Sequence, residues 1–537
     1  MFVNSFVALI GLWALSVGAA PSFYPRDSGN GTCRKTKVAI LGGGVAGITA
    51  AQALTNQSIT DFLIVEYNGD IGGRMVHTPF GADQAGNPYT VELGANWIQG
   101  LGTEGGPENP IWTFGKKYNI SNTYSDYESI LTYNETGAVD FTNLIGDFET
   151  AWTDFEQAAG TILTENLQDR SFRAGLSQAG WKPKKNMAAQ AAEWWEWDFE
   201  TSYPPDESSF VFGITGYNLS FYQFSDENNF VTDQRGFNHW LKSIASTFLT
   251  ANDTRLLLDT IVTDVHYSDT GVLVTTEDGS CIEADYAICT FSLGVLQNDD
   301  AVTFHPEFPE WKDTSIATFQ IGTYTKIFFQ FNETFWDPDT QFFLYASPTT
   351  RGYYPVWQSL STEGFHPDSN IIFATVVGRE AYRIEAQSDD ETKAEALEVL
   401  AQMFPDVDIP EPTAFLYPRW STTPWSYGSY SNWPVGTTLE THQNLRANIG
   451  RLYFAGEHTS TEYFGFLHGA WFEGREAGQR IAGVIAKDAE YGANSTCKNE
   501  AGCGDHVKYE VLHGTTELYE YNALNGMGAD PFYVAGS

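Results

Sequence analysis

The sequence has few basic residues, few cysteines and almost no long apolar runs. Its 537 residues include 29 Lys and Arg against 68 Asp and Glu, a formal net charge of −39. Because nucleic-acid binding needs clustered cations, this balance argues against DNA or RNA as a partner. Two readings of the acidity stay open: long-range attraction of a cationic substrate, or the solubility of an exported protein.

The five cysteines form no CxxC pair, and no His-rich cluster accompanies them. We therefore expect no structural zinc site and no bound metal. Cys497 and Cys503 are close enough in sequence to bridge a loop, and Cys33 reaches that region only if the two chain ends meet. Cys281 and Cys289 lie in apolar, strand-like surroundings, so we expect both to be buried thiols.

One apolar run, Phe6 to Ala20, ends in small residues and matches the core of a signal peptide cleaved near Ala19 or Ala20. The run is shorter than the roughly 20 residues that span a bilayer, and no other long apolar run follows, so we expect no membrane association. Asn-x-Ser/Thr sequons begin at Asn30, Asn56, Asn119, Asn134, Asn218, Asn252, Asn332 and Asn494. We expect a secreted glycoprotein with a signal peptide at 1–20 and a C-terminal tail at 488–537.

A glycine motif follows the first predicted strand, KVAIL at 37–41. Gly42, Gly44 and Gly47 form GxGxxG, which allows a tight turn, close approach to a pyrophosphate and packing of the next helix on the strand. Glu66 ends the second predicted strand, 19 residues after Gly47, where it can accept a ribose hydroxyl. This joint spacing predicts a dinucleotide site in a βαβ unit.

A second glycine motif, IGGR at 71–74, follows shortly and suits a second phosphate face. The two motifs together indicate FAD rather than NAD. From about Lys37 to Ala486, the sequence resembles the flavin-containing amine oxidase family, with the secreted polyamine oxidases of plants and fungi as its closest branch. The matching blocks are VAILGGGVAGITAAQAL, IGGR, VELGANW, FVTDQRGF, FSLGVLQ, YTKIFF, FFLYAS, RGYY, SNWPVG and FAGEHTS, in this order.

The resemblance implies an α/β fold in which a Rossmann-like FAD-binding domain of the glutathione-reductase type is interleaved with an α+β substrate domain that carries a mixed sheet. The implied FAD-binding segments are 35–100, 230–298 and 437–487, and the implied substrate segments are 101–229 and 299–436. Besides the three glycines, it implies that Glu66, Arg74, Val262 and Glu457 contact FAD. Ser429 stands where some monoamine oxidases carry a Cys that bonds the flavin, so we expect non-covalent FAD.

Lys326 interrupts the apolar strand at 324–329. Taken alone, a Lys in such a strand usually faces outward. The resemblance instead implies that Lys326 is the catalytic residue, near the flavin N5, where it holds the water that hydrolyses the imine and assists flavin reoxidation. Burial at that position lowers the pKa of a Lys and lets it exchange protons.

The resemblance also implies a substrate site walled by aromatic side chains. Tyr430 and Phe466 match the two rings that sandwich the amine, although the second ring is commonly Tyr in the family. Trp97 and Tyr324 complete the wall. Taken singly, any of these four is as readily explained by core packing.

Two positions in polyamine oxidases carry acids that bind the distal ammonium groups. Glu200 matches one of them, but the other is occupied by Gln99. An amide accepts a hydrogen bond but supplies no charge. The substrate is then either a long polyamine or a shorter, acylated or secondary amine.

The sequence thus predicts a secreted FAD-dependent oxidase of a polyamine-type amine. A small cationic amine loses hydride to the flavin, water splits the imine, and O₂ is reduced to H₂O₂. Three alternatives stay open. One is a monoamine oxidase, another an L-amino-acid oxidase with Arg351 or Arg419 on the carboxylate, and the third a catalytically silent flavin-binding protein.

Overall fold

The computed structural model describes residues 33–164 and 167–493. The predicted signal peptide, the sequons at Asn30 and Asn494, and the pair Cys497 and Cys503 all lie outside the described residues.

The strands are β1 Arg34–Leu41, β2 Phe62–Val65, β3 His77–Phe80, β4 Tyr89–Glu92, β5 Trp97–Gln99, β6 Asn122–Tyr124, β7 Ile130–Asn134, β8 Gly137–Ala138, β9 Asn228–Val231, β10 Leu256–Leu257, β11 Val262–Tyr267, β12 Val272–Thr276, β13 Cys281–Cys289, β14 Thr303–His305, β15 Gln320–Gly322, β16 Tyr324–Gln330, β17 Phe342–Ala346, β18 Val356–Ser359, β19 Ile371–Val377, β20 Ala414–Leu416, β21 Tyr430–Asn432 and β22 Leu452–Phe454.

The helices are α1 Val45–Asn56, α2 Pro110–Lys117, α3 Asn143–Thr164, α4 Phe172–Gln178, α5 Met187–Glu193, α6 Phe199–Thr201, α7 Phe210–Phe224, α8 His239–Ala245, α9 Leu293–Leu296, α10 Glu310–Thr318, α11 Gly378–Glu385, α12 Asp389–Met403, α13 Leu439–Arg446 and α14 Leu467–Ala493. A π-helical turn, Trp194–Asp198, joins α5 to α6, and short 3₁₀ turns occupy Trp420–Thr422 and Glu457–Thr459.

The first large sheet has the strand order β10-β2-β1-β13-β12-β11-β14, with β22 also paired to β13. Strand β1 lies between β2 and β13 and is parallel to both. Its apolar residues from Val38 to Leu41 are fully buried, as expected for a parallel strand covered on both faces. The predicted βαβ opening is therefore confirmed, with α1 as its crossover.

The second large sheet has the order β20-β16-β19-β18-β17-β7-β8. Most of its neighbours are antiparallel, but β17 and β7 run parallel, so the sheet is mixed, as expected. Lys326 lies on β16, the second strand of this sheet, and pairs with Thr375 of β19. Within the described chain, no helix combines the length and apolar character that a bilayer crossing requires.

A disulfide joins Cys33 to Cys281, so the prediction that Cys281 is a buried thiol was wrong. Strands β1 and β13 run parallel, and Arg34 pairs with Ile282. The residues that precede these two, Cys33 and Cys281, therefore lie side by side at the same end of the two strands. Cys289, eight residues along β13, is the buried thiol that was expected, and burial raises its pKa to about 12.

The sequons differ in accessibility. Those at Asn56, Asn119, Asn252 and Asn332 are exposed. Asn218 is only 3% exposed and lies inside α7, where its amide donates a hydrogen bond to Glu156. Because a glycan needs an accessible amide, Asn218 is not a usable site in the folded protein.

Candidate active site

A large cavity opens beside the carboxyl ends of β1 and β2 and extends toward the start of β16. It encloses about 1760 Å³ of space free of protein atoms, its open mouth included. Its lining extends from Gly42 and Gly44 to Tyr324 and Phe466, so the predicted cofactor residues and the predicted substrate residues border one continuous space. All predicted site residues except Gly47 and Lys326 line it, namely Gly42, Gly44, Glu66, Arg74, Trp97, Gln99, Glu200, Val262, Tyr324, Tyr430, Glu457 and Phe466.

The turn between β1 and α1 forms one wall of the cavity. Gly42 has a φ of +120°, a conformation that favours glycine. A Cβ on Gly47 would lie 1.9 Å from the carbonyl oxygen of Gly42, so this glycine is required for the helix to pack on the turn. A Cβ on Gly44 would meet nothing closer than Gly73 Cα at 3.8 Å. The protein itself therefore does not require glycine at 44, and the space it leaves belongs to the cavity.

The N-terminus of α1 faces the same space. Its N-cap residue, Gly44, offers no side-chain hydrogen bond to the first turn, and Val45 and Ala46 line the cavity. Such an uncapped helix start attracts phosphate through its free N–H groups and its dipole. The twelve-residue helix, the space over Gly44 and the turn together fit the pyrophosphate of a dinucleotide.

Glu66 closes the far side of this turn. It is 5% exposed, and its carboxylate accepts hydrogen bonds from the Gly43 N–H at 2.6 Å and the Asn68 N–H at 2.8 Å. Burial raises its pKa, although the hydrogen bonds from Asn68 and Gly43 oppose the shift. These bonds fix the carboxylate at the cavity wall, where it can accept the hydroxyls of a ribose.

Arg74 and Glu457 form an ion pair across the cavity wall, with 2.8 Å between Nη1 and Oε1. Arg74 also donates to the carbonyl oxygen of Ser429 at 2.7 Å. The other carboxylate oxygen of Glu457 accepts from Ser431 Oγ at 2.5 Å and from the Gly465 N–H at 2.8 Å. Burial alone would raise the pKa of Glu457, but the Arg74 charge helps to hold it below the ordinary value. The pair thus joins three chain segments, those around 74, 429–431 and 457–465.

The two residues predicted to meet distal ammonium groups contact each other. Gln99 Nε2 donates a hydrogen bond to Glu200 Oε1 at 2.8 Å, although the two residues are 101 positions apart. Burial raises the pKa of Glu200 to about 8. In the described chain, no ion pair compensates this carboxyl group. An incoming ammonium would supply the missing charge.

Aromatic side chains enclose the Gln99–Glu200 pair. Trp97, Tyr324 and Tyr430 line the cavity as predicted, and the Tyr324 and Tyr430 ring centroids lie 5.9 Å apart. The Tyr430 hydroxyl donates to the backbone carbonyl of Glu200 at 2.8 Å, which fixes the ring beside the carboxyl group. Phe466 lines the cavity and also borders a small side cavity that touches Glu200 and Tyr430. The wall therefore combines apolar faces with one ionisable acid.

Sequence reasoning missed two of these aromatic residues, Tyr127 and Phe199, which also line the cavity. Their ring centroids lie 6.3 Å apart, and Phe199 is 6.0 Å from Trp97. Phe199 directly precedes Glu200, and this position is the signal that could have identified it. Tyr127 lies in a loop that carries no recognisable pattern.

Lys326 is buried, 1% exposed, which excludes an outward-facing Lys. Its ammonium donates to the Gly94 carbonyl at 2.8 Å and to Asn96 Oδ1 at 2.9 Å. Burial lowers its pKa, opposed by the charge of Glu92. Gly94 and Asn96 line the cavity, so Lys326 lies one layer behind the wall, and its predicted catalytic role stays a prediction.

The two arginines considered for a substrate carboxylate are engaged elsewhere. Arg351 makes a two-pronged ion pair with Asp198 at 2.5 and 2.7 Å. Arg419 donates to Asp389 Oδ1 at 2.7 Å and stacks over the ring of Tyr417. Among the described wall residues, the guanidinium that faces the cavity is that of Arg74, which Glu457 already neutralises.

Comparison with known proteins agrees with this geometry. The family model for flavin containing amine oxidoreductases matches residues 45–482. Polyamine oxidase 7 of Oryza sativa subsp. japonica is 38% identical over 456 residues, 82% of this chain and 93% of the relative. Polyamine oxidase 1 of Zea mays is 37% identical over 469 residues, 84% of this chain and 91% of the relative.

A solved structure of putrescine oxidase bound to putrescine shares the fold, with a TM-score of 0.65 and 16% identity over 85% of this chain and 100% of that one. The glycine turn, the uncapped helix start and Glu66 are the features that fit FAD. The chain belongs to the flavin-containing amine oxidoreductase family and is an FAD-dependent amine oxidoreductase.

Proposed function

We propose that the protein is a secreted oxidase of polyamine-type amines, such as spermidine, spermine or their acylated derivatives. The observation that carries the proposal is the hydrogen-bonded pair of Gln99 and Glu200 in an aromatic-walled part of the cavity. A substrate that places one amine at the reaction centre and a second, charged ammonium group beside Glu200 supplies the counter-charge that this carboxyl group lacks. The relatives named polyamine oxidase and putrescine oxidase support the same substrate class.

The charges around the cavity favour this class over an L-amino acid. A substrate carboxylate needs a free cation, but Arg351 is paired with Asp198 and Arg74 with Glu457. The Glu200 carboxyl group supplies no positive charge to a substrate carboxylate in either of its ionisation states. A monoamine would fit the aromatic wall but would leave Glu200 without a counter-charge, so we expect it to be a poorer substrate.

The chemistry that bound FAD would supply is the two-electron oxidation of the amine to an imine and the reduction of O₂ to H₂O₂; hydrolysis of the imine would give aldehyde and amine. Gly42, Gly44 and the start of α1 would hold the pyrophosphate, and Glu66 a ribose. We propose that the cofactor is bound without a covalent link, because Ser429 holds the position of the linking Cys and its Oγ accepts from the Tyr324 N–H at 2.9 Å.

The side chains of the cavity wall orient the amine and exclude water. Tyr430, fixed by its bond to the Glu200 carbonyl, and Phe466 would enclose the reacting carbon, while Glu200 anchors the distal end. Apolar walls favour the neutral amine that hydride loss requires. Lys326, whose pKa burial lowers, would hold or exchange a proton near the gap between Gly94 and Asn96.

Secretion is part of the proposal. A disulfide between Cys33 and Cys281 is typical of an oxidising compartment. Four exposed sequons and the apolar run at 6–20 point the same way. Expression in a eukaryotic secretory host, with a mass and glycosidase analysis of the medium, tests it; a protein retained inside the cell without glycans contradicts it.

The substrate is tested by following H₂O₂ with purified protein and a panel of spermine, spermidine, their N-acetyl forms, monoamines and L-amino acids. We expect the highest kcat/KM for an amine with a second nitrogen. Gln99→Glu should raise kcat/KM for spermidine relative to a monoamine, because a charge-assisted contact contributes about 1.5–3 kcal/mol against about 1 for a neutral one. Equal values for mono- and polyamines would refute the proposed substrate class. Acid precipitation should release the yellow cofactor, whereas colour retained in the pellet contradicts non-covalent binding.

A further inference from the structure

A cluster of four charged side chains, two buried carboxylates and two partly buried arginines, lies beside the segment that carries Glu200. Glu193, which is 0% exposed, accepts hydrogen bonds from Arg173 at 2.5 Å and from Arg351 at 3.0 Å. Asp198, which is 3% exposed, accepts from both terminal nitrogens of Arg351. Two carboxylates and two guanidinium groups thus balance one another. We call Glu193, Asp198, Arg173 and Arg351 the Glu193 cluster.

Two members of the Glu193 cluster stand at the two ends of the π-helical turn Trp194–Asp198. Glu193 directly precedes this turn and Asp198 is its last residue. The turn leads at once into Phe199 and Glu200, which both line the cavity. π-helical turns are rare and are often found at functional sites, because one extra residue per turn re-aims the side chains that follow. The direction of the Glu200 side chain therefore depends on this turn.

Arg351 is the member of the cluster that spans both ends of the turn. Its Nη2 donates to Glu193 Oε1 at 3.0 Å and to Asp198 Oδ1 at 2.7 Å, while its Nη1 donates to Asp198 Oδ2 at 2.5 Å. Arg173, from α4, contacts Glu193, but among the described residues it makes no hydrogen bond or ion pair with Asp198. Lys has a single ammonium group and cannot reproduce this fork.

We propose that Arg351 is a positioning residue for the substrate: by bridging the two ends of the π-helical turn, it sets the Glu200 carboxyl group at the distance and angle that a distal ammonium requires. The inference rests on the proposed function of Glu200. It assigns to Arg351 a role in substrate discrimination without any contact with substrate or cofactor.

The test compares wild type, Arg351→Lys, Glu200→Gln and the double variant. For each, kcat and KM are measured for spermidine and for n-butylamine, together with FAD content. We expect Arg351→Lys to raise the KM for spermidine and lower the spermidine-to-butylamine ratio of kcat/KM by about ten-fold or more, since small misplacement of a binding group costs up to about 10²-fold. FAD content and the butylamine kcat should stay near wild type.

Two further variants separate positioning from loss of folding. Asp198→Asn keeps the shape of the side chain and removes its charge, and it should lower the same ratio. Arg383→Lys is the matched control, because Arg383 also bridges two carboxylates away from the cavity wall: its Nε donates to Glu380 at 2.8 Å and its Nη1 to both oxygens of Glu395 at 3.0 Å. It should leave the ratio unchanged.

The outcomes distinguish the inference from the proposed function. If Arg351 acts through Glu200, adding Arg351→Lys to Glu200→Gln causes no further loss in the ratio. A ratio unaffected by Glu200→Gln refutes the role of Glu200 and the inference with it. A ratio that falls in Glu200→Gln but is unchanged in Arg351→Lys and Asp198→Asn, or multiplicative losses in the double variant, refutes the inference alone.

Discussion

Discrimination between polyamines and monoamines should depend on pH, because the group that recognises the second ammonium titrates. Burial raises the pKa of Glu200 to about 8, above its ordinary value of 4.5. Below that pH the free enzyme holds a neutral acid beside Gln99, and above it a carboxylate. Only the carboxylate forms a strong contact with an ammonium group. The preference for a polyamine should therefore increase as the pH rises.

The expected size follows from the ionised fraction of Glu200. With a pKa of about 8, about 10% of the group is ionised at pH 7 and about 90% at pH 9. The ratio of kcat/KM for spermidine to that for n-butylamine should thus rise by about ten-fold between these values, with a slope near one below pH 8. The nearby phenols of Tyr127, Tyr324 and Tyr430 do not interfere, because burial raises their pKa values well above 10.

The assay is the initial rate of H₂O₂ formation at low substrate concentration, from pH 6.5 to 9.5, for both amines in the same buffers. The value kcat/KM reports the ionisation of the free enzyme, and the ratio cancels effects common to both amines. Glu200→Gln serves as the control, since an amide of nearly the same shape cannot ionise; its ratio should be low and flat.

A flat ratio in the wild-type enzyme would refute the reasoning. So would a pH-dependent ratio that persists in Glu200→Gln, because another group would then recognise the second ammonium.

Three other predictions concern the cofactor turn, the buried lysine and the disulfide. Gly44→Ala should lower FAD content without lowering the Tm of the apoprotein, because its Cβ meets nothing closer than 3.8 Å. Gly47→Ala should lower the Tm of both the apoprotein and the FAD-bound protein, because its Cβ would lie 1.9 Å from a backbone oxygen. Equal Tm losses in the two variants would contradict this. Lys326→Met should slow flavin reduction or reoxidation by about 10²–10⁴-fold in stopped-flow measurements, and wild-type rates in both half-reactions would refute the catalytic role. The variant should also lower the free energy of unfolding by about 1–3 kcal/mol, because two buried acceptors lose their donor. Cys281→Ser should lower the free energy of unfolding by about 2–4 kcal/mol in urea titrations, with no further loss on adding Cys33→Ser; additive losses would show that the two cysteines are not bonded.

The cofactor half of the site could be predicted because its determinants are local in sequence. The turn at 42–47 and Glu66 belong to one βαβ unit, and the parallel pairing of β1 with β2 places them together. For these residues, closeness in the sequence therefore predicts closeness in the structure. The same reasoning fails for Cys281, because its partner depends on the register of two strands separated by 248 residues.

The amine half could be predicted only as a set of residues. Gln99 lies on β5, and Glu200 follows the π-helical turn, in segments that no local pattern connects. The sequence predicted that each of the two residues contacts a distal ammonium group. The hydrogen bond between them shows that they form one site, in which Glu200 is the ionisable group. Lys326 shows the same limit, since its burial was predicted but not its place behind Gly94 and Asn96.

The charges near the cavity explain why one carboxyl group determines recognition. Arg74 is neutralised by Glu457, and Lys326 shares the buried interior with Glu92, whose charge raises the pKa of the Lys. In a low-dielectric interior, paired charges attract a ligand weakly, whereas an acid without a counter-charge gains most from an incoming cation. Glu200 is such an acid, because desolvation is the cause of its pKa shift and no cation among the described residues opposes it. A ligand that brings a second ammonium therefore completes the charge balance of the site, and a ligand that lacks one leaves Glu200 protonated below a pH of about 8.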